Sequence, residues 1–293
     1  MRPSFASRLT TSILKWTNFK FQVEKRVQKP ISRSSKPFLP EAIAKDYKSQ
    51  SQMIAGRAVA TFASKQQVSQ THLIFLHGGA YVFPAVGGHW DIAKKIVEKI
   101  HCRISLVDYP LAPESTYRET YAMMGEAYEQ LCAQYPDDQF VMLGDSAGAG
   151  LALGFTQMLI QQKHPRLPIK TVLISPWLDL TMSNPAIEKF VKTDQLLTIN
   201  MLQSAGALYA DGDDQTHYQL SPINGEFEAL PPTLVLYSNI ELFFPDCVKL
   251  KVLATAENVH FQFKEYHKML HDWPVFPMPE REEAIDDICA FLQ

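Results

Sequence analysis

Residues 139–148 have the sequence QFVMLGDSAG, in which a short apolar run leads into a Gly-x-Ser-x-Gly pentapeptide. The run 139–143 predicts a buried strand, and the pattern of residues 147–162 predicts a helix directly after it. Ser146 therefore stands at a sharp turn between a strand and a helix, where glycines at both ends of the pentapeptide let the two elements pass closely. This context favours a nucleophilic serine over a chance match. Ser204, in a similar Ser-Ala-Gly stretch, lacks the first glycine.

Strands and helices alternate on both sides of this turn. Short apolar runs are separated by segments of ten or more residues with helical spacing. Alternation at that spacing predicts a mostly parallel sheet covered by helices. The predicted strands are 53–62 (a weak pair), 71–76, 103–108, 139–143, 169–174, 233–237 and 260–265, and the predicted helices are 89–100, 117–134, 147–162, 246–257 and 280–292.

Two segments fall outside the alternation. Residues 180–230 contain helical pieces but no clear strand, so we expect an insertion that forms a helical cap at one end of the sheet. Residues 1–50 carry 11 Lys/Arg against 3 Asp/Glu, and the apolar residues of 9–16 fall near helical spacing. We expect residues 1–50 to be a helical arm that belongs to the cap, and residues 51–293 to be the main domain. A targeting or membrane-surface role of the arm is the alternative.

Composition restricts the class of protein. Hydrophobic residues make up 46% and charged residues 20% of the 293, which is typical of a globular protein with a large core. The net charge of −3 argues against general nucleic-acid binding, and no apolar run is long enough for stable membrane insertion. The four cysteines are scattered without a CxxC spacing, which indicates reduced thiols in a cytoplasmic protein and no zinc site. They are Cys102, Cys132, Cys247 and Cys289.

The loop after the predicted strand 71–76 has the sequence HGGAY, residues 77–81. Glycines there let backbone N–H groups point into a cleft, and acyl transfer needs two or three such donors for its oxyanion. Ala147, the residue after the serine, is expected to supply another donor. His77 is not expected to be the catalytic base, because in this layout the base follows the nucleophile along the chain.

Four motifs in this order together resemble the hormone-sensitive-lipase-like branch of the α/β-hydrolases, from about residue 70 to the C-terminus. The motifs are HGGAY (77–81), DYPLAPE (108–114), GDSAG (144–148) and SPWLDL (175–180). The resemblance implies an α/β-hydrolase fold, with an eight-stranded, mostly parallel sheet flanked by helices and a helical cap. It also implies a Ser–acid–His triad that hydrolyses carboxylic esters with small acyl groups.

The resemblance also assigns the oxyanion loop. We take Gly78, Gly79, Ala80 and Ala147 as the candidate oxyanion-hole residues. The family usually draws its two loop donors from the second and third residues after the histidine, which are Gly79 and Ala80 here. Ala80 replaces the usual glycine, which is harmless if only its N–H is used.

The acid of the triad departs from the family pattern. The commonest pattern has Asp where Ile240 stands, and an isoleucine cannot orient an imidazole. Glu241 is the first carboxylate after the strand 233–237 and has one extra methylene of reach, so we expect it to be the acid. Asp246, at the first turn of a predicted helix, is the alternative, although a structural role against the helix dipole suits it better. A triad without a working acid is the third option.

The base belongs in the loop between the last strand and the last helix, which holds His267 and His271. The sequence of residues 268–274, KMLHDWP, resembles the family's histidine followed by a small or acidic residue and an aromatic one. We therefore expect His271 to be the base. We expect the remaining histidines, among them His89 and His217, to be surface or lid residues.

These features predict a serine hydrolase of small carboxylic esters, with Ser146 as nucleophile, His271 as base and Glu241 as acid. No cofactor and no metal ion are implied. The expected partner is a small-molecule ester, without nucleic acid and without stable membrane insertion, and a homodimer is left open. The alternatives are a non-catalytic ligand-binding relative, like a plant hormone receptor of the same branch, and a hydrolase of amide or acetyl groups.

Overall fold

The computed structural model of the protein describes residues 3–27, 38–66 and 68–293. The described residues form an eight-stranded, mostly parallel sheet flanked by helices. The α/β fold class predicted from the alternation is therefore confirmed. Residues 28–37 of the predicted arm, which include most of a Ser/Pro-rich stretch, lie outside the described residues.

Two antiparallel strands at one edge are followed by six parallel strands. The strands are β1 (Lys48–Ile54), β2 (Arg57–Ala63), β3 (Thr71–Leu76), β4 (Arg103–Val107), β5 (Gln139–Asp145), β6 (Lys170–Ile174), β7 (Thr233–Ser238) and β8 (Phe261–Tyr266). Their order across the sheet is β1-β2-β4-β3-β5-β6-β7-β8. Because β3 and β5 are neighbours, the loops that follow them meet at the carboxyl edge of the sheet, where open α/β sheets bind their ligands.

The strand pair at the edge begins earlier than predicted. We expected it at residues 53–62, but β1 already begins at Lys48. Residues 48–52 are polar and largely solvent-accessible, because an edge strand needs no apolar side chains on its open face. The apolar pattern of the sequence therefore gave no signal for them.

The helices agree closely with the predicted ones, and α3 is an addition. They are α1 (Phe5–Trp16), α2 (Phe19–Val27), α3 (Glu41–Asp46), α4 (Gly87–Ile100), α5 (Tyr117–Gln134), α6 (Ala147–Gln161), α7 (Ile199–Ala210), α8 (Phe244–Ala256) and α9 (Pro279–Leu292). In α6, the residues from Ala147 to Leu159 are all buried. An apolar helix of this kind belongs to the interior, so the helix that follows Ser146 is held in the core.

The insertion between β6 and β7 contains α7 and two short 3₁₀ helices, Pro185–Phe190 and Pro222–Asn224. The arm helix α2 is tied to this insertion by two side chains. Lys20 Nζ donates to the carbonyl oxygens of Val191 and Asp194, and Thr198 Oγ1 donates to the carboxylate of Glu24 at 2.7 Å. Within the described part of the chain, no helix combines the length and the hydropathy needed to cross a membrane.

Candidate active site

Ser146 lies on a strained turn between β5 and α6, with φ 52° and ψ −118°. A Cβ atom added at Gly148 would lie 2.0 Å from the carbonyl oxygen of Leu76, and one added at Gly144 would lie 2.3 Å from that of Gly148. Both positions therefore require glycine, since the adjacent strand and helix leave no space. The turn is fixed by the N–H of Ser146, which donates to the carbonyl oxygen of Ile174 at 2.8 Å.

The structure brings three predicted site residues together in one hydrogen-bonded chain. His271 Nε2 lies 2.9 Å from Ser146 Oγ, and His271 Nδ1 lies 2.7 Å from Glu241 Oε2. The second carboxylate oxygen of Glu241 accepts the N–H of Ser238 at 2.8 Å. All three side chains are buried. Glu241 therefore reaches the imidazole although Ile240 occupies the family's usual acid position.

The two competing candidates lie elsewhere. Asp246 is in the first turn of α8 and accepts a hydrogen bond from Asn184 Nδ2 at 2.8 Å. Burial raises its pKa to about 6, against the opposing hydrogen bond of Asn184. His267 is exposed and its Nδ1 lies 2.8 Å from Asn239 Nδ2. Neither side chain has a hydrogen bond with Ser146 or His271 among the described residues.

The loop after β3 is built to expose backbone N–H groups. Gly79 has φ +122°, and a Cβ atom added there would lie 2.4 Å from the carbonyl oxygen of Phe83, so the position needs glycine. Ala80 follows with φ 53°. Gly78 packs closely against Asp145, because a Cβ atom added at Gly78 would lie 2.3 Å from the carboxylate of Asp145. Gly78, Gly79, Ala80 and Ala147 stay the candidate oxyanion-hole residues.

The side chain of His77 packs against this loop and Tyr109. Its ring stacks on that of Tyr109 with 4.4 Å between ring centroids, and its Nδ1 lies 2.7 Å from the carbonyl oxygen of Gly78. Tyr109 Oη in turn donates to the carbonyl oxygen of His77. Burial lowers the pKa of His77 to about 4, so the ring is neutral near pH 7. Tyr109 of the DYPLAPE segment thus holds the HGGAY loop through His77, which has no hydrogen bond with Ser146, Glu241 or His271 among the described residues.

These residues open into a cleft of about 740 Å³. Gly78, Gly79, Ala80, Ser146 and His271 all line it. Most of the remaining lining is apolar and comes from the arm, the segment between β3 and α4, the insertion and the segment after His271. Those apolar lining residues are Phe19, Val23, Phe83, Pro84, Val86, Leu196, Leu197, Met201, Val275 and Phe276.

A family model described as alpha/beta hydrolase fold matches residues 73–275. The chain belongs to the α/β-hydrolase fold family. An esterase from Acinetobacter venetianus is 34% identical to this hydrolase over 233 residues, which are 78% of this chain and 76% of the relative. An acetyl-hydrolase from Streptomyces hygroscopicus is 29% identical over 243 residues, 81% of this chain and 80% of the relative.

A comparison with a solved structure also identifies an α/β-hydrolase. The crystal structure of an esterase from the bacterial hormone-sensitive lipase family superposes on the hydrolase with a TM-score of 0.83 and 25% identity. The match covers 100% of this chain and 98% of that one. The branch indicated by the four motifs is therefore confirmed.

His89 is a buried residue of the cleft, which its sequence position did not reveal. We expected a surface or lid residue, but the side chain is buried in α4 and lines the cleft. Its Nε2 lies 3.1 Å from Asp145 Oδ2, and the N–H of Val86 donates to its Nδ1 at 2.9 Å. Asp145 thus lies between His89 and the close-packed Gly78. The only signal in the sequence was the position of His89 on the apolar face of its helix.

Asp272 is the second side chain that sequence reasoning did not use. Its Oδ2 lies 3.1 Å from Nε2 of His271. Burial raises the pKa of Asp272 well above its ordinary value, reinforced by Asp145 and opposed by His271. Burial alone would lower the pKa of His271, but Asp272 and Glu241 outweigh it and hold that pKa well above its usual range. The site therefore favours a proton on the His271–Asp272 pair.

The last motif of the resemblance shapes the start of the insertion. Asp179 is buried, and its carboxylate accepts hydrogen bonds from Thr181 and Ser183. The backbone N–H of Trp177 donates to the carbonyl oxygen of Ser146 at 3.0 Å. The SPWLDL segment therefore ties the nucleophile turn to the base of the insertion. Among the residues that the structure describes, no group of three or more His, Cys, Asp or Glu is arranged to hold a metal ion.

Proposed function

We propose that this hydrolase cleaves small carboxylic esters through an acyl-enzyme intermediate on Ser146. One observation carries the proposal: the hydrogen-bonded chain from Ser146 through His271 to Glu241, with distances of 2.9 and 2.7 Å. These separations are within the range for a nucleophile, its base and the group that orients the base. The names of the two relatives, esterase and acetyl-hydrolase, support the same chemistry.

The proposed reaction has two half-reactions. Ser146 Oγ attacks the ester carbonyl carbon while Nε2 of His271 takes the hydroxyl proton, and the proton then passes to the departing alkoxide. Water attacks the acyl-enzyme with His271 again as base, which releases the carboxylic acid and restores the serine. Glu241 keeps the proton of the neutral imidazole on Nδ1 and stabilises the imidazolium that forms.

The tetrahedral intermediate carries a negative charge on the former carbonyl oxygen. We assign the N–H groups of Gly79, Ala80 and Ala147 to this oxyanion. Ala147 is the first residue of α6, and a helix N-terminus favours negative charge. Fixed donors in a buried site stabilise the charge without reorganisation, and losing one typically costs about 10²-fold or more in kcat.

We infer that the cap is composite. The arm, of which residues 3–27 are described, and the insertion of about residues 180–230 would form it, over a main domain of residues 51–293. The contacts of Lys20 and Glu24 with the insertion support this division. A cleft of about 740 Å³ is of the size that binds small molecules, typically about 300–1,000 Å³.

The two alternative functions differ in support. A non-catalytic binder would not need the Ser146–His271–Glu241 chain, so the geometry disfavours it. Acetyl esters are a candidate substrate class because a relative is named an acetyl-hydrolase.

The four cysteines are unpaired and buried, which supports a reducing, cytoplasmic location. A homodimer stays a prediction.

The test is hydrolysis of p-nitrophenyl esters of increasing acyl length by the wild-type protein and by Ser146→Ala. We expect activity on the short esters and a loss of at least about 10⁴-fold in kcat in the variant. Ser204→Ala is the matched control, because Ser204 lies on α7 in a similar short sequence, and it should retain full activity. No hydrolysis of any ester by the wild-type protein would contradict the proposed function.

A further inference from the structure

Helix α1 presents a row of apolar side chains to solvent. The exposed fractions are 73% for Phe5, 49% for Leu9, 51% for Ile13 and 87% for Trp16. Their spacing of four, four and three residues places them on one face of the helix. We call this face, continued by the half-exposed Phe19 and Phe21 of α2, the apolar face of the arm.

The opposite face of α1 is held to the hydrolase largely by polar groups. Ser4 donates from its N–H and its hydroxyl group to the carboxylate of Glu280, at 2.5 and 3.0 Å. Ser7 is buried, with its Oγ 3.9 Å from Met269 Sδ, and the partly buried Leu14 packs against the hydrophobic core. A surface helix usually turns its apolar side to the core. In α1, most of the large apolar side chains point away from the core and into solvent. This arrangement indicates that they contact a partner outside the chain.

The charge of the arm favours an anionic partner. Residues 3–27 contain Arg8, Lys15, Lys20, Lys25 and Arg26 but only one acid, Glu24, which is engaged by Thr198. Arg8 and Lys15 are exposed on α1, and helical spacing places them along one side of the apolar face. Lys25 and Arg26 are exposed on α2. A helix with basic and aromatic side chains of this arrangement is typical of binding in the plane of a lipid surface.

The apolar face is continuous with the mouth of the catalytic cleft. Phe19 belongs to this face and also lines the cleft, together with Val23, Lys25 and Arg26 of the same helix. A surface that covered the apolar face would therefore lie directly beside the cleft. The arm cannot shift freely relative to the site, because Lys20 and Glu24 fix α2 to the insertion.

We propose that the apolar face of the arm docks on the interface between water and an anionic lipid bilayer. Trp16, Ile13, Leu9 and Phe5 enter the headgroup region, and the basic side chains contact the lipid phosphates. With only 12 residues, α1 lies in the plane of the interface and does not span it. Docking places the mouth of the cleft against the lipid, so ester substrates enter from the lipid phase. This last step rests on the proposed function, whereas the docking itself does not.

The test is flotation of the full-length protein with vesicles of phosphatidylcholine containing about 30% phosphatidylglycerol. We expect binding that falls at least about tenfold on pure phosphatidylcholine vesicles and in about 0.5 M NaCl. The other three tryptophans, Trp90, Trp177 and Trp273, are buried, so Trp16 should dominate a blue shift of the emission on binding. The double variant Ile13→Ser/Trp16→Ser should float at least about tenfold less. Val252→Ser, which removes an exposed valine from α8, is the matched control and should float like the wild-type protein.

Three outcomes would overturn the proposal. They are absence of wild-type flotation, flotation of Ile13→Ser/Trp16→Ser equal to that of wild type, and an arm-dependent dimer in light scattering without vesicle binding. The last would make a second copy of the chain the occupant of the apolar face. Hydrolysis of soluble p-nitrophenyl acetate separates the two proposals. The double variant Ile13→Ser/Trp16→Ser and the control Val252→Ser should both keep the wild-type rate, and vesicle binding without any hydrolysis would refute the proposed function but not the docking.

Discussion

Asp272 Oδ2 lies 3.1 Å from Nε2 of His271, the same nitrogen that faces Ser146 Oγ at 2.9 Å. The base of the proposed triad therefore has a carboxylate on each side, Glu241 at Nδ1 and Asp272 at Nε2. Both carboxylates stabilise the imidazolium form of His271. The neutral imidazole that accepts the serine proton has no proton on Nε2, so only Glu241 stabilises it. The hydrolase should therefore need a higher pH to free its base than an isolated histidine would.

Asp272→Asn should move the acidic limb of the pH profile of kcat/KM to lower pH. Removal of the charge beside Nε2 takes away support for the imidazolium, so the pKa of His271 falls toward its usual value. An opposite charge at this distance commonly shifts a pKa by about one unit or more. The pH dependence of kcat/KM reports the pKa of the base in the free enzyme. Asp137→Asn, which changes an exposed aspartate, is the control, and an unshifted limb in Asp272→Asn would refute the coupling.

Glu241→Gln should lower kcat by about 10³–10⁴-fold and leave the fold intact, because a neutral amide cannot stabilise the imidazolium. Asp246→Asn should keep kcat within about threefold, since its side chain faces Asn184 instead of His271. Steady-state kinetics of the two variants with one short ester makes the comparison. The reverse ranking would transfer the acid role to Asp246.

Asp246→Asn should change the pH dependence of stability. The pKa of Asp246 is raised by burial to about 6 in the folded state, above the ordinary value of 3.8. The folded protein therefore binds this proton more tightly, and its free energy of unfolding rises as pH falls from about 6 to 4. At roughly 1.4 kcal/mol per pKa unit the contribution is at most about 3 kcal/mol.

Denaturant unfolding at several pH values tests this expectation. The difference between Asp246→Asn and wild type should favour the variant more at pH 8 than at pH 4. Asp137→Asn should give a difference that is nearly independent of pH in that range. A constant difference for Asp246→Asn would mean that the carboxyl group is ionised normally in the folded protein.

Deletion of residues 1–27 should alter substrate preference more than it alters the sheet. The deletion removes Phe19 and Val23 from the lining of the cleft and opens it to water. We expect KM to rise more for longer acyl chains than for acetate, because longer chains lose more apolar contact. Unchanged kinetics together with an unchanged melting temperature would mean that the arm is no part of the cap.

The sequence predicts best those features that are determined locally. The strand–turn–helix around Ser146 was evident because strand pattern, glycines and helix pattern are adjacent in the chain. Loop position favoured Glu241, because it is the first carboxylate after strand β7 and its side chain is long. Asp246 stayed an alternative, because the choice depends on the path of the loop in space.

Features that depend on tertiary contacts were missed. His89 becomes a buried partner of Asp145 only when α4 packs against the carboxyl edge of the sheet. Asp272 approaches Nε2 of His271 because its own backbone adopts φ 51°, which composition does not reveal. In the arm, helical spacing identified an apolar face through Leu9 and Ile13, but spacing does not tell which side of a helix meets the protein.

The central claim is that Ser146 is the nucleophile activated by His271. The most direct measurement is mass spectrometry of the intact protein and its peptides after treatment with a fluorophosphonate, which reacts with activated serines. We predict one adduct per chain, on the peptide that contains Ser146, and none in Ser146→Ala or after denaturation. An adduct on another residue, or equal labelling of the wild-type protein and Ser146→Ala, would contradict the account.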